Sequence, residues 1–322
     1  MSSPPAYYQD EQVTLLLGDA LEQLRTLPDG SVDCIVTSPP YFGLRDYGTP
    51  GQYGLEATPA EYVETMRALF AEARRVLADD GTLWLNLGDS YAYPPGSAGR
   101  QGATGQRADR TFTAEGLRGT RALPPKNLLM IPARVAIALQ DDGWILRNEN
   151  VWWKRNGMPE KAQDRLTSRH EKVYLLAKQQ DYWFDLDAVR LPITAERARH
   201  DRNAHLHDHR YAAEGTNHGI GPTTLHRTSN PLGSNPGDVW DIPTRPYPAA
   251  HFATFPIDLP LRCIKAGCKP GGTVLDPFSG SGTTGAAARQ LGRKYVGIDL
   301  NPAYHDLAKD RFVQGVLDFG AA

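Results

Sequence analysis

The stretch Thr273-Val274-Leu275-Asp276-Pro277-Phe278-Ser279-Gly280-Ser281-Gly282-Thr283-Thr284-Gly285 decides the fold of this chain. Its short apolar run predicts a buried strand that ends in a carboxylate, and its glycine-rich loop leads into the helix-forming segment Ala286–Leu291. Lys294–Asp299 then predicts a second strand that also ends in a carboxylate, the group that reaches a ribose diol in nucleoside-binding sheets. Strand, glycine loop, helix and strand together predict a nucleoside-binding βαβ unit.

The glycines Gly280, Gly282 and Gly285 have the G-x-G-x-x-G spacing of dinucleotide-binding loops, so this spacing alone leaves the nucleoside open. A phosphate-binding P-loop is excluded because no Lys-Ser or Lys-Thr pair follows the glycines. Asp276 disfavours a dinucleotide, since its carboxylate would face the anionic pyrophosphate at the helix N-terminus. The same carboxylate suits the ammonium group of S-adenosylmethionine, which we expect as the ligand. The alternative is that Asp276 only caps the following helix.

A second motif, Ser38-Pro39-Pro40-Tyr41, follows the apolar run Val32–Val36, at the strand end where open α/β sheets bind ligands. Two prolines remove two backbone N–H donors, which leaves the Ser38 and Pro39 carbonyls as acceptors. A hydroxyl, free carbonyls and an aromatic ring suit a flat, amino-bearing group such as a nucleobase. A proline-rich turn without a function is the alternative.

The two motifs together resemble those of the amino DNA methyltransferases, which methylate exocyclic nitrogens of cytosine or adenine. Their order here, with the proline motif first and the glycine loop last, is similar to the circularly permuted β group of that family. The resemblance implies that Ser38, Pro39, Pro40 and Tyr41 are the catalytic residues.

Further segments resemble parts of the same family. Leu17–Leu21 is similar to the segment that contacts the adenine of the cofactor, and His251–Pro256 to the segment that lines its methionine pocket. Gly81–Ser90 resembles a structural strand, and Val151–Lys154 the strand pair behind the target pocket. The cofactor-binding residues that the resemblance implies are Asp19, Ala20, Thr37, Phe255, Pro256, Asp276, Pro277, Phe278, Gly280, Ser281, Gly282, Thr283, Thr284, Asp299 and Leu300.

The composition, with 322 residues, 40% of them hydrophobic, permits one large core with an insertion. No apolar run reaches the roughly 20 residues of a membrane span and no basic-then-apolar leader begins the chain, so we expect a cytoplasmic protein without a membrane partner. The three cysteines form neither a disulfide framework nor metal-binding pairs. Most histidines lie between Thr194 and Asn235 without zinc-like spacing, so we expect no metal.

The net charge of −2 means that contacts with DNA must come from local basic patches. One patch is segment 94–126, interpreted as a mobile basic loop near the ligand; a solvated loop without a partner is the alternative. Another is the region from Thr194 to Asn235, whose Arg, Asn and His side chains suit base edges. The predicted DNA-binding residues are Arg45, Arg107, Arg110, Arg118, Arg121, Lys154, Arg202, Arg210 and Arg227.

The resemblance implies the α/β, Rossmann-like fold of S-adenosylmethionine-dependent methyltransferases, with a mostly parallel seven-stranded sheet. Residues 1–190 are expected to form the first part of the catalytic core, 191–238 an inserted target-recognition region, and 239–322 the cofactor-binding part. Apolar patterns predict strands at Val13–Leu17, Val32–Val36, Thr82–Leu87, Trp144–Lys154, Lys172–Lys178, Thr273–Asp276 and Tyr295–Asp299, and helices at Pro59–Leu77 and Asn127–Gln140. The helical spacing of Pro59–Leu77 predicts one apolar face, formed by Tyr62, Met66, Leu69, Phe70, Ala73 and Val76.

We therefore expect a site-specific DNA methyltransferase that acts on N4 of a flipped cytosine in duplex DNA. In the resembling family, serine before Pro-Pro is associated mainly with cytosine N4, so adenine N6 is the alternative. More distant alternatives are an RNA or protein methyltransferase, a nicotinamide-dependent oxidoreductase and a noncatalytic DNA-binding module. The resemblance also implies a modification enzyme with a cognate restriction endonuclease as a partner, but an orphan methyltransferase is equally compatible. Both a monomer and a homodimer stay open.

Overall fold

The computed structural model describes residues 6–92, 123–192, 230, 232–244 and 255–314. Within these residues one nine-stranded sheet runs through the protein, in the order β1-β2-β9-β8-β3-β4-β6-β5-β7. The strands are β1 (Tyr8–Gln9), β2 (Val13–Leu17), β3 (Val32–Thr37), β4 (Leu77–Leu87), β5 (Ile145–Trp153), β6 (His170–Ala177), β7 (Val239–Asp241), β8 (Thr273–Asp276) and β9 (Lys294–Asp299).

The predicted α/β fold with a mostly parallel sheet is confirmed, but the predicted number of seven strands is wrong. The two additional strands of the described sheet are its edges, where β1 pairs antiparallel with β2 and β7 pairs parallel with β5. They are two and three residues long. Segments this short show no alternation of apolar and polar residues, so the sequence carried no signal for them.

The α-helices of the described residues cover the sheet. They are α1 (Ala20–Thr26), α2 (Pro59–Val76), α3 (Ile131–Asp141), α4 (Asp258–Gly267), α5 (Thr283–Gln290) and α6 (Pro302–Gln314). α2 connects β3 to β4 and buries the apolar face that contains Tyr62, Met66 and Phe70, as its helical periodicity predicted. It begins where Thr58 caps the backbone and Pro59 occupies the first turn.

α3 begins four residues later than the predicted helix Asn127–Gln140. Met130 has a φ of +56°, in the left-handed region, which separates the preceding residues from the helix. The cap of α3 comes from Asp89 after β4, whose carboxylate accepts a hydrogen bond from the Ile131 N–H at 3.0 Å. Because the capping group lies far away in sequence, the local pattern could not locate this helix start.

The ends of several strands that are distant in sequence lie together at one edge of the sheet. β2, β9, β8, β3 and β4 are parallel, so their carboxyl ends lie at the same edge. β6 is antiparallel to β4, and β5 is antiparallel to β6, so β6 begins and β5 ends at that edge as well. Open α/β sheets bind their ligands at this edge.

The chain divides into two compact units. They are residues 1–184 with 238–322, and residues 185–237. The second unit contains a short 3-10 helix, Asp187–Val189, and an antiparallel bridge between Leu191 and Ser234. Within this unit the Arg190 side chain also donates a hydrogen bond to the Gly233 carbonyl. The predicted boundaries and the role in target recognition stay predictions.

In the part of the chain that the structure describes, no helix is long and apolar enough to cross a lipid bilayer. The described side chains also contain no group of three or more His, Cys, Asp or Glu residues that could hold a metal ion. Cys34, Cys263 and Cys268 are buried free thiols. Burial raises the pKa of the Cys34 and Cys263 thiols, so both keep their protons at neutral pH.

A buried carboxylate joins β3, β8 and α5. Asp276, the last residue of β8, is only 1% exposed. Its Oδ1 accepts a hydrogen bond from the Thr37 hydroxyl at 2.7 Å, and its Oδ2 accepts one from the Thr284 hydroxyl at 2.8 Å. The Phe278 N–H also donates to Oδ1, at 3.0 Å. These bonds connect the end of β3 to elements that lie 239 residues further along the chain.

Burial raises the pKa of the Asp276 carboxyl to about 6, and the three hydrogen bonds partly oppose this shift. In the unfolded chain the same group has a pKa of about 3.9. The folded state therefore binds this proton more tightly than the unfolded state. The resulting contribution to stability is complete below the unfolded pKa and is lost as the pH rises through the folded pKa.

We expect Asp276→Asn to remove this part of the pH dependence, because an amide of nearly the same shape does not titrate. Between about pH 5 and about pH 8, the free energy of unfolding of the natural protein is expected to fall by on the order of 1 kcal/mol more than that of the variant. Urea unfolding at both pH values measures this difference. Asp181→Asn, at an exposed position, is the matched control. Equal pH dependence of D276N and the natural protein would contradict the assignment.

Candidate active site at the carboxyl edge of the sheet

The glycine loop between β8 and α5 is held by Asp299, the last residue of β9. The N–H groups of Gly280 and Asn301 each donate to the Asp299 carboxylate at 2.8 Å. Gly280 has a φ of +51°, and the nearest atom that a Cβ there would meet is the Phe278 carbonyl oxygen, at 4.0 Å. Burial raises the pKa of the Asp299 carboxyl, while the backbone donors lower it. The loop therefore presents backbone to an open space beside a carboxylate.

The chemistry of this loop fits S-adenosylmethionine. Ser281 is buried, and its hydroxyl has no hydrogen-bond partner among the described residues. α5 begins after Gly282 without a side-chain cap, which leaves N–H donors for the carboxylate of a methionine group. The Asp299 carboxylate accepts hydrogen bonds from the Gly280 and Asn301 N–H groups and still has lone pairs that can accept hydrogen bonds from ribose hydroxyls. Asp276, by contrast, is enclosed by its three donors, so contact with the ammonium group stays a prediction.

A tyrosine that sequence reasoning missed connects β2 to the glycine loop. Asp19 caps α1, and its carboxylate accepts a hydrogen bond from the Glu22 N–H at 3.0 Å. The Tyr53 hydroxyl faces the same carboxylate, and burial together with Asp19 raises the pKa of Tyr53. The Tyr53 ring packs edge-on against Phe278, with 5.2 Å between ring centroids. An isolated tyrosine in a glycine-rich loop shows no pattern that could have identified it.

Most of the predicted cofactor residues follow the carboxyl ends of parallel strands or end those strands. They are Asp19, Ala20, Thr37, Asp276, Pro277, Phe278, Gly280, Ser281, Gly282, Thr283, Thr284, Asp299 and Leu300. Phe255 and Pro256 instead precede α4, where the Pro256 carbonyl accepts a hydrogen bond from the Leu259 N–H. The contacts of all these residues with a cofactor stay predictions.

The predicted catalytic motif lies directly after β3. Ser38 is half-buried, and its hydroxyl donates to the Tyr41 hydroxyl at 3.1 Å. The Pro40 carbonyl accepts a hydrogen bond from Tyr62 at 2.9 Å, whereas no described residue donates to the Pro39 carbonyl. The Tyr41 ring lies against Gly88, where a Cβ would be only 2.6 Å from a ring carbon. A residue larger than glycine at position 88 would therefore collide with the Tyr41 ring where it now lies.

Glu171, at the start of β6, belongs to the same site and to no sequence motif. Its Oε2 accepts hydrogen bonds from the Tyr41 hydroxyl at 2.7 Å and from Asn86 Nδ2 at 2.8 Å. Asn86 Nδ2 also lies 2.9 Å from the Tyr41 oxygen. Lys154 forms an ion pair with the other carboxylate oxygen, Oε1. Burial and Glu171 raise the pKa of Tyr41 well above its ordinary value, so this hydroxyl keeps its proton.

The predicted DNA-binding residues fall into three groups. Lys154 lies inside the site, with its ammonium on Glu171 and 4.6 Å from the Trp152 ring centroid. Arg45 is half-buried in the loop between β3 and α2. The others lie outside the described residues and are Arg107, Arg110, Arg118, Arg121, Arg202, Arg210 and Arg227. Contact of any of them with DNA stays a prediction.

Several bacterial enzymes named Type II methyltransferases are similar to this chain. M.Cfr9I of Citrobacter freundii is 44% identical over an alignment 303 residues long, which covers 92% of this chain and 87% of that enzyme. M.SmaI of Serratia marcescens is 40% identical over an alignment 307 residues long, which covers 93% of this chain and 90% of that enzyme.

Solved structures show the same fold at lower identity. PvuII DNA methyltransferase, described as cytosine-N4-specific, is 20% identical with a TM-score of 0.65, covering 98% of this chain and 90% of its own. A putative DNA modification methylase from Thermus thermophilus, complexed with S-adenosyl-L-methionine, is 24% identical with a TM-score of 0.57, covering 96% of this chain and 97% of its own.

The family model described as DNA methylase, of the N6/N4 type, matches residues 32–310 and so includes both motifs. The methyl donor of this family is S-adenosylmethionine, the cofactor predicted from the glycine loop and Asp276. The chain therefore belongs to the family of S-adenosylmethionine-dependent DNA methylases that modify adenine N6 or cytosine N4.

Proposed function

We propose that this protein is a site-specific DNA methyltransferase that methylates N4 of a cytosine flipped out of duplex DNA. The observation that carries this proposal is the 2.7 Å hydrogen bond between Thr37 and Asp276. Thr37 directly precedes Ser38, and Asp276 directly precedes the glycine loop. The bond therefore holds Ser38, whose hydroxyl suits the target amino group, close to the glycine loop, which suits the methyl donor.

The protein must make the target amino nitrogen more nucleophilic. Its lone pair is delocalised into the base ring, which makes it a weak nucleophile. S-adenosylmethionine supplies a methyl carbon bonded to a positively charged sulfur. We assign to Ser38 and the Pro39 carbonyl the hydrogen bonds to the two amino hydrogens, which favour a tetrahedral nitrogen with a free lone pair. Tyr41 is assigned the stacking contact with the base ring, and no covalent intermediate with the protein is required.

The choice of cytosine rests on Ser38. In the amino DNA methyltransferases that the chain resembles, serine before Pro-Pro is associated mainly with cytosine N4, and Asp or Asn with adenine N6. A hydroxyl can satisfy either amino group, so adenine N6 is the alternative that family membership leaves open.

The relatives named Type II methyltransferases support a restriction-modification setting with a cognate endonuclease as a partner. We infer that sequence recognition comes from the polar insertion 191–238 and that the basic segment 94–126 contacts phosphates, as their Arg-rich composition favours. We also propose that the protein is cytoplasmic and is either a monomer or a homodimer. Light scattering of the purified protein distinguishes the two oligomeric states.

We expect Ser38→Ala to lower turnover by about 100-fold or more, because it removes an acceptor that polarises the amino group. Binding of S-adenosylmethionine is expected to stay unchanged, since the glycine loop is intact. Initial rates of methyl transfer and calorimetric titration with the cofactor measure the two quantities. Ser31→Ala, at an exposed position before β3, is the matched control. Undiminished turnover of S38A would contradict the assigned role of the motif.

The methylated base is identified by incubation of the protein with unmethylated bacterial DNA and labelled S-adenosylmethionine, followed by nucleoside digestion and mass spectrometry. We expect N4-methylcytosine, because a serine begins the proline motif. N6-methyladenine would keep the fold and the mechanism but overturn the choice of base. Absence of any methylated nucleoside, with RNA methylated instead, would overturn the proposed substrate.

A further inference from the structure

We propose that Glu171 is a positioning residue that acts on Ser38 through Tyr41. It makes the Ser38 hydroxyl a hydrogen-bond acceptor toward the target amino group, and it then receives the proton that this group loses. The inference rests on the proposed function, because it takes Ser38 as the contact of the amino group.

The direction of each hydrogen bond follows from the carboxylate. An ionised carboxylate only accepts, so Tyr41 donates its single hydroxyl hydrogen to Glu171, across 2.7 Å. Asn86 contacts both the Glu171 carboxylate and the Tyr41 oxygen, and only its NH₂ group can donate to both. Asn86 thereby occupies one of the two lone pairs of the Tyr41 oxygen.

The second lone pair of Tyr41 is left for Ser38, 3.1 Å away. Because Tyr41 has no further hydrogen to donate, Ser38 must donate to Tyr41. The Ser38 oxygen then keeps both of its own lone pairs for other groups. A freely rotating hydroxyl would contact amino and carbonyl groups equally well, whereas this one favours the N–H of an amino group.

Lys154 holds the carboxylate from its other side. Its ammonium binds Oε1, so Oε2 is the oxygen that Tyr41 and Asn86 contact. The ammonium also lies over the Trp152 ring, whose indole N–H donates to the Ile242 carbonyl at 2.7 Å. The side chain of Glu171 is only 14% exposed, which leaves little room for water to compete for Oε2.

The same hydrogen bonds form a path for the proton that the reaction releases. As the C–N bond forms, the bond between sulfur and the methyl carbon breaks, and its electron pair stays on the sulfur of the product S-adenosylhomocysteine. The amino nitrogen then carries a positive charge. One N–H bond breaks, its electron pair stays on nitrogen, and the proton passes to the Ser38 oxygen. The hydrogen of Ser38 moves to Tyr41, and that of Tyr41 moves to Glu171. The products are a neutral methylated amine and a protonated Glu171, which later releases its proton to water.

The test uses the full-length protein and unmethylated bacterial DNA, with kcat determined separately from the KM values for DNA and S-adenosylmethionine. Glu171→Gln keeps the side-chain shape, and Tyr41→Phe keeps the ring against Gly88. Each is expected to lower kcat by about 100-fold with both KM values changed less than about twofold. The double variant is expected to be no slower than Y41F alone, because both changes interrupt the same path.

Glu149→Gln is the matched control, since Glu149 is exposed and forms an ion pair with Lys172 between the same two strands, β5 and β6. Its kcat is expected to equal that of the natural protein. Unchanged kcat in E171Q and Y41F, independent losses that multiply in the double variant, or a loss confined to KM or to thermal stability would each overturn the inference. If S38A is slow while E171Q and Y41F keep full kcat, the proposed function stands without this role for Glu171.

Discussion

One buried carboxylate, Asp276, is the constraint on which the arrangement of the site depends. A buried charged or polar group destabilises a fold unless hydrogen bonds satisfy it, and the donors to Asp276 come from three different elements. Thr37 ends β3, Phe278 belongs to the glycine loop, and Thr284 lies in α5. If any one of these three donors moved away, the carboxylate would lose a hydrogen bond. The direct pairing of β3 with β8 and the hydrogen bonds to this one carboxylate together hold the proline motif beside the glycine loop.

The two sides of the site are built by different parts of the sheet. Parallel strands form the glycine-loop side, so only their carboxyl ends and the following loops reach the ligand edge. On the other side, β6 runs antiparallel to β4 and places its first residues, including Glu171, at the same edge. A polar network of Asn86, Glu171 and Lys154 then lies beside Tyr41. Because β6 is reversed, Glu171 near its start lies at this edge, whereas a strand parallel to β4 would place its first residues at the opposite edge.

Long, regular patterns allowed the fold to be predicted closely. The predicted strands Val13–Leu17 and Thr273–Asp276 have the observed bounds, and α2 buries the predicted apolar face. Prediction failed where the deciding interaction is not local. The start of α3 depends on Asp89 from a distant strand end, and the two short edge strands exist because longer strands offer them hydrogen-bond partners. Neither feature has a periodic pattern of its own.

The sequence by itself determined the fold class, the family resemblance and the cofactor class, because these rest on residues that are adjacent in the two motifs. Only the tertiary structure decided that Asp276 is enclosed by hydroxyls from two other elements, that Tyr53 faces Asp19, and that Glu171 contacts Tyr41. The physical reason is the separation along the chain, which is 130 residues between Tyr41 and Glu171 and 239 between Thr37 and Asp276. Contacts at such separations follow from strand order and direction, which no local run of residues specifies.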